Sequence, residues 1–291
     1  MEETALARVR CKAATIRLPQ WQILFTSCQL SVVVLAFVLR TYHLGRLSLW
    51  YDEGVSWTFA RLPLGQLLQT VEDRDLNPPL YPILLHFWII VASSRAYALR
   101  FLSVIPGTLT VALTMALARR GFRQPVVVVL AGIFSGTSIF LIDYSQEARA
   151  YALATWFVLL ATYALVPSSA QPERQWWVVY ALALALALYS HYATVVFCTV
   201  HGVWMVITAW RKMKPYVVSS MVTALLFLPW LGAFLHQLAV VRAGPNIFWS
   251  GSISPFLAPG RALAAVWSRP GAFTDKDRQL IVTTAVVIGL L

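Results

Sequence analysis

The chain has 291 residues, 59% of them hydrophobic and only 12% charged, with a formal net charge of +11. A soluble domain carries roughly 25% charged residues, so this composition, with a mean hydropathy of +0.68, excludes an ordinary soluble enzyme and indicates an integral membrane protein. The positive excess is not gathered into a basic module with a recognition motif, which excludes nucleic acid as a partner.

Arg8, Arg10, Lys12 and Arg17 precede a first apolar run over 21–39, longer than the core of a cleavable signal and without a small-residue cleavage pattern. It reads as a retained transmembrane helix. The three cysteines, Cys11, Cys28 and Cys198, have no paired spacing and suggest neither a disulfide framework nor a zinc site.

The stretch 49–80 follows, and it holds five of the twelve carboxylates. Asp52-Glu53 stand behind Trp50 and Tyr51, which suit membrane-interface depth. Glu72, Asp73 and Asp75 run into Asn77-Pro78-Pro79, where paired prolines stiffen the backbone and hold Asp75 and Asn77 on an extended arm. A solvated acidic turn and a helix-dipole contact are the plain alternatives for the two clusters. Brought back to one membrane face, they converge instead on one site, with Asp52 and Glu53 as general base or base plus cation ligand for an acceptor hydroxyl.

Further apolar runs fall at about 80–93, 99–118, 125–142, 150–166, 176–192, 193–210, 215–235 and 280–291. The run 80–93 covers only roughly 21 Å as a helix, short of the ~30 Å hydrocarbon core. Leaving it on the outer face puts 1–20, 119–124, 167–175 and 211–214 on the cytoplasmic side, with eleven Lys/Arg in 39 residues against eleven in the 113 residues of the outer loops. That contrast satisfies the positive-inside rule. The expectation is an all-α polytopic protein, one transmembrane domain over 1–291 with about eight spanning helices and a large outer-face loop, 40–98, carrying juxtamembrane helices. The sequence stops at Leu291 inside an apolar run, which reads as a fragment of a longer protein.

Three more polar points share the outer side. Arg149 and Tyr151, in the segment 143–151, offer the guanidinium fork and hydroxyl that a lipid phosphate requires, against the plainer reading of an arginine reaching for headgroups. Arg100 is a second candidate for the phosphate. His191, in Tyr189-Ser190-His191-Tyr192, joins Asp75 and Asn77 as a candidate for positioning acceptor or cation. A divalent cation shared by Glu53 or Asp75 is one option for a cofactor, which hard oxygen ligands alone do not identify. A polytopic transporter or lipid flippase is the rival reading. Transporters gather ionisable groups near mid-membrane in repeated halves, whereas here they collect at the outer ends and no repeat occurs.

The order W-Y-D-E, D-L-N-P-P-L-Y with L-L-H-F-W, R-F-L-S, A-R-R-G-F and S-Q-E-A-R-A-Y-A-L over about residues 20–235 resembles the GT-C superfamily of membrane glycosyltransferases. The nearest branch is that of dolichyl-phosphate-mannose protein mannosyltransferases and aminoarabinose transferases. The resemblance implies transfer of a sugar from a polyprenyl-phosphate carrier to a lipid, glycan or protein acceptor, on the extracytoplasmic side of the cell membrane. It matches Asp52 to the family's first-loop aspartate, Asp75 with Pro78-Pro79 to its second acidic arm, and Arg149 and Tyr151 to its donor-phosphate residues. Asn77 stands where the family commonly has histidine, and the lysine that the aminoarabinose branch carries before its paired prolines is missing, so sugar and acceptor stay open.

Overall fold

The computed structural model describes residues 20–166 and 173–243. The basic N-terminal tail, the linker 167–172 and everything after residue 243, including the apolar run 280–291, lie outside the described residues.

All regular structure among the described residues is helical: α1 (Gln20–Thr41), α2 (Tyr51–Ala60), α3 (Leu64–Arg74), α4 (Leu80–Val91), α5 (Ala96–Phe122), α6 (Pro125–Thr137), α7 (Ile139–Ser145), α8 (Tyr151–Leu165), α9 (Glu173–Ser190), α10 (Val195–Thr208) and α11 (Met213–Ala243). Residues 22–41 of α1, the whole of α5 and residues 210–241 around α11 are long and apolar enough to cross a membrane, and α6 with α7 makes a fourth span if the bent pair is one. The chain is therefore a multi-pass membrane protein. Of the eight spans expected, the runs read at 150–166 and 193–210 appear as helices of 15 and 14 residues, short of the ~20 that a straight crossing needs.

The first loop carries three short helices, α2, α3 and α4, in the stretch where juxtamembrane helices were expected. α4 begins directly after Pro78-Pro79, because proline is tolerated where a helix has no N–H partner to lose. Its 12 residues cover about 18 Å and stay below spanning length. α5, running from Ala96 to Phe122, is the central beam. Its start lies against the first loop, while Arg120 near its end donates to the carbonyl of Tyr163 (2.6 Å) and lies over the rings of Tyr163 and Trp176.

The apolar run 125–142, expected as one helix, is broken at Ser138 into α6 and α7, inclined at 56°. Two groups stabilise the break. The Ser138 hydroxyl accepts from Leu141 N–H and caps α7. Arg40, wholly buried at the end of α1, donates to the carbonyls of Gly136 (3.1 Å) and Ser135 (3.3 Å), to its own Ala36 (3.0 Å) and to the Ser145 hydroxyl (3.3 Å). α5 approaches this knot at Gly107, where an added Cβ would collide with the Ser145 hydroxyl. The turn 146–150 that leaves α7 is tied to the end of α1, since Gln146 Nε2 donates to the carbonyls of Leu39, Arg40 and Tyr42, and it carries Arg149.

Candidate functional site

Successive residues of a helix point about 100° apart, and α2 uses that rotation to separate the two acids of its first turn. The Asp52 side chain is 35% exposed and the Glu53 side chain 0%. Glu53 accepts two bonds from Arg100, Nε to Oε1 (2.8 Å) and Nη2 to Oε2 (2.7 Å), and further bonds from Ala148 N–H (2.9 Å) and Trp50 N–H (3.2 Å). Arg100 spends its other donors on the carbonyls of Leu44 (2.9 Å), Leu47 (2.9 Å) and Ser48 (3.0 Å). All five N–H groups of this guanidinium are therefore used inside the protein, which leaves none for a lipid phosphate. The acid expected to work beside Asp52 and the arginine expected at the phosphate neutralise each other, and through Ala148 they pin the turn 146–150 to the first loop.

That turn presents Arg149 to the same pocket that Asp75 and His191 reach. Arg149 Nη1 donates to the Ser56 hydroxyl (3.3 Å), and Nη2 lies 3.8 Å from Asp52 Oδ2, an ion pair without a direct hydrogen bond. Its backbone is fixed from behind, since the Ser103 hydroxyl donates to the Arg149 carbonyl (3.1 Å) and bonds the hydroxyl of buried Tyr81 (2.8 Å). Burial works against the charge on Arg149, but Tyr151, Asp75 and Asp52 outweigh it and hold its pKa above the usual arginine value. The side chain remains a cation with N–H groups to offer.

Asp75 caps the end of α3 in an extended conformation, and its Oδ1 accepts from Leu76 N–H (2.8 Å), Asn77 N–H (3.1 Å) and Asn77 Nδ2 (2.8 Å). This side-chain turn sets the direction of the chain into Pro78-Pro79. His191 ends α9 and accepts from Ala193 N–H (3.2 Å), with its ring 5.7 Å from that of Tyr151. Burial first, and then the charge of Arg149, lower the His191 pKa to about 4 against a pull from Asp75 in the other direction. The imidazole is neutral at pH 7. Ser56, Asp75, Asn77, Arg149, Tyr151 and His191 line one small pocket, so residues from four separated segments meet at one end of the bundle.

No group of three His, Cys, Asp or Glu side chains arranged to hold a metal ion occurs among the described residues. Glu53 is filled by four donors and Asp75 Oδ1 by three, so these two residues do not form a cation cage.

Behind the polar pocket, α5, α6, α7, α8 and α10 enclose a cavity of about 860 Å³, walled by apolar side chains such as Leu117, Phe140, Leu159, Phe197 and Trp204. Tyr151 and His191 line both spaces. The polar pocket that holds Arg149 and the apolar cavity thus share one border.

The family described as dolichyl-phosphate-mannose-protein mannosyltransferase matches residues 76–232, more than half of the chain. The chain belongs to that family. The match takes in Asn77, Arg100, Arg149, Tyr151 and His191 and begins immediately after Asp75, leaving Asp52 and Glu53 before it. Two solved structures share the fold of this mannosyltransferase family member, each at 17% identity. The Saccharomyces cerevisiae protein O-mannosyltransferase Pmt1-Pmt2 complex bound to the sugar donor superposes with a TM-score of 0.54 over 74% of this chain and 33% of that one. The archaeal oligosaccharyltransferase AglB from Archaeoglobus fulgidus, in complex with an inhibitory peptide and a dolichol-phosphate, gives 0.53 over 90% of this chain and 37% of that one. The chain spans about a third of the length of the solved proteins it matches. No curated protein matches it in sequence.

Several functional contacts escaped sequence reasoning. Ser56, the hydrogen-bond partner of Arg149, sits one helical turn after Asp52 in α2 and was findable from that spacing. Tyr81 and Ser103 lie in the D-L-N-P-P-L-Y and R-F-L-S motifs, but nothing local indicates that they meet at the Arg149 carbonyl.

Proposed function

We propose that this chain carries the catalytic end of a membrane glycosyltransferase, which moves a sugar from a polyprenyl-phosphate carrier to an acceptor hydroxyl on the extracytoplasmic side of the cell membrane. The observation that carries this reading is the junction at Tyr151 and His191, which line both the pocket holding Arg149 and the apolar cavity. Arg149 pairs the carrier phosphate, Tyr151 borders phosphate and tail, and the prenyl chain lies in the cavity. About eight helices cross the membrane in this reading: α1, α5, the bent α6–α7 pair, α8, α9, α10 and α11, with the apolar run 280–291, which lies outside the described residues, as the eighth.

The chemistry is a single displacement at the anomeric carbon. Asp52 takes the proton of the acceptor hydroxyl, the acceptor oxygen forms the new bond to the sugar, and the bond from that carbon to the phosphate oxygen breaks with its electron pair going to the phosphate. Arg149 neutralises the departing charge. Arg149 and Asp52 lie 3.8 Å apart, so the leaving-group partner and the base belong to one site. Glu53 and Arg100 hold the turn that carries Arg149, and Asp75, Asn77 and His191 shape the acceptor side. The acceptor is a lipid, a glycan or a protein, and the family description favours protein.

The test is release of the lipid phosphate from dolichyl-phosphate-mannose and from other polyprenyl-phosphate sugars by the purified protein, with and without hydroxyl-bearing peptides. Acceptor-dependent release supports the reading. Movement of intact carrier between leaflets without release would favour a flippase.

A further inference from the structure

Asp75 and His191 belong to segments 116 positions apart, and no hydrogen bond among the described residues links them directly. What joins their segments is a side chain of α11 beyond the stretch that the family match covers. Gln237 is buried, 4% exposed, in a mainly apolar helix. Its Nε2 donates to the Val71 carbonyl (2.9 Å), which also accepts the Asp75 N–H (3.2 Å) as the last bond of α3. Its Oε1 accepts from the hydroxyl of Tyr192 (2.6 Å), the residue that follows His191, and that hydroxyl accepts from Trp230 Nε1 (2.8 Å).

The direction of this chain of bonds is fixed at both ends. An indole N–H only donates, so the Tyr192 oxygen receives it and turns its proton toward Gln237; a peptide carbonyl only accepts, so Val71 requires the amide nitrogen. One orientation of the Gln237 amide makes both bonds. A carboxylate of the same size would set an acceptor against the Val71 carbonyl, and an apolar side chain would leave both partners unpaired in a buried place.

We infer that Gln237 is a positioning residue, whose amide ties the arm carrying Asp75 to the turn carrying His191 so that both face Arg149. The kinetic part of its test rests on the transferase reading above; the distance part does not.

Two measurements decide it. In the first, Gln237→Glu is compared with wild type in acceptor-dependent phosphate release, using dolichyl-phosphate-mannose as donor and a serine/threonine peptide as acceptor. The expected change is about a tenfold fall in kcat/KM for the peptide with KM for the lipid donor unchanged, because a displaced arm misaligns the acceptor and leaves the Arg149 side intact. In an Asp75→Asn background the same substitution should cost less than about twofold, since the arm it aligns no longer carries its acid. A full penalty in both backgrounds overturns the inference. Tyr192→Phe, which keeps the ring and removes the hydroxyl, should move the same parameter in the same direction and guards against a Gln237 variant that folds poorly. In the second, spin labels replace exposed Asp73 on α3 and Leu182 on α9 in a protein whose three native cysteines are substituted. Gln237→Glu should broaden their distance distribution, and a distribution identical to wild type overturns the inference. Absence of transfer by the wild-type protein would remove the proposed function, while the distance measurement would still decide the role of Gln237.

Discussion

Glu53 and Arg100, 47 residues apart, form a buried two-pronged ion pair with bonds of 2.8 and 2.7 Å. The pair is a structural joint, because Glu53 also accepts from Ala148 in the turn before Arg149. Removing one partner leaves the other charge buried and uncompensated, which costs roughly 3–5 kcal/mol. Arg100→Ala and Glu53→Ala should each lower the melting temperature in detergent sharply, and the double substitution should cost less than the sum of the two. Independent, additive losses would mean that the two residues do not act as a pair.

Arg149 should behave differently, since its side chain faces the pocket and retains N–H groups beyond the bond to Ser56. Arg149→Ala is expected to weaken binding of the lipid donor by about 2–4 kcal/mol with little change in melting, and lysine to restore only part of it, since an ammonium does not reproduce the guanidinium fork. Equal donor affinity in wild type and Arg149→Ala, measured by calorimetry with the lipid phosphate, would assign this arginine to headgroup contact alone.

Asp52, which pairs with Arg149, and Asp75, which lines the pocket, are separable by kinetics. Asp52→Asn keeps size and hydrogen bonding but cannot accept a proton, so turnover should fall by about 10²-fold or more while donor binding persists. Asp75→Asn keeps one acceptor oxygen for the turn into Asn77, so its effect should appear first in acceptor KM, and saturating acceptor should recover part of the rate. Near wild-type turnover of Asp52→Asn at saturating substrates would remove Asp52 as the base.

His191 carries a pH signature. Its pKa of about 4 in the folded protein lies below the ordinary 6.5, so between those values the unfolded chain binds a proton that the folded chain refuses. Stability that is full above pH 6.5 is therefore lost as pH falls toward 4, by up to about 3 kcal/mol from this residue. Melting curves between pH 7 and 4 should show the loss. His191→Asn, which keeps a cap acceptor for Ala193 but has no proton to bind, should flatten the slope. An unchanged slope would locate the acid sensitivity elsewhere.

The apolar runs made the helical, membrane-embedded architecture legible, and the clustering of carboxylates and Arg149 marked the segments that meet in the pocket. Other features were hidden for definite physical reasons. Asp52 and Glu53 look equivalent as neighbours in a sequence, and only the rotation of α2 and the arrival of Arg100 from α5 distinguish an accessible acid from a buried one. The break at Ser138 lies in a run that reads as continuous, because the arginine stabilising it is supplied about 95 positions earlier. Gln237 is a lone amide in a hydrophobic helix, and its importance lies wholly in partners at Val71 and Tyr192.

The knot around Arg40 also constrains the order in which the protein is made. Until residues 135–145 are synthesised, Arg40 has only the Ala36 carbonyl of its four acceptors within reach, since Ser135, Gly136 and Ser145 come later in the chain. A cation without those acceptors is expelled from hydrocarbon toward the headgroups. Without α6 and α7, α1 should therefore keep its end drawn to the interface, and the bent pair should set its final depth by receiving the charge.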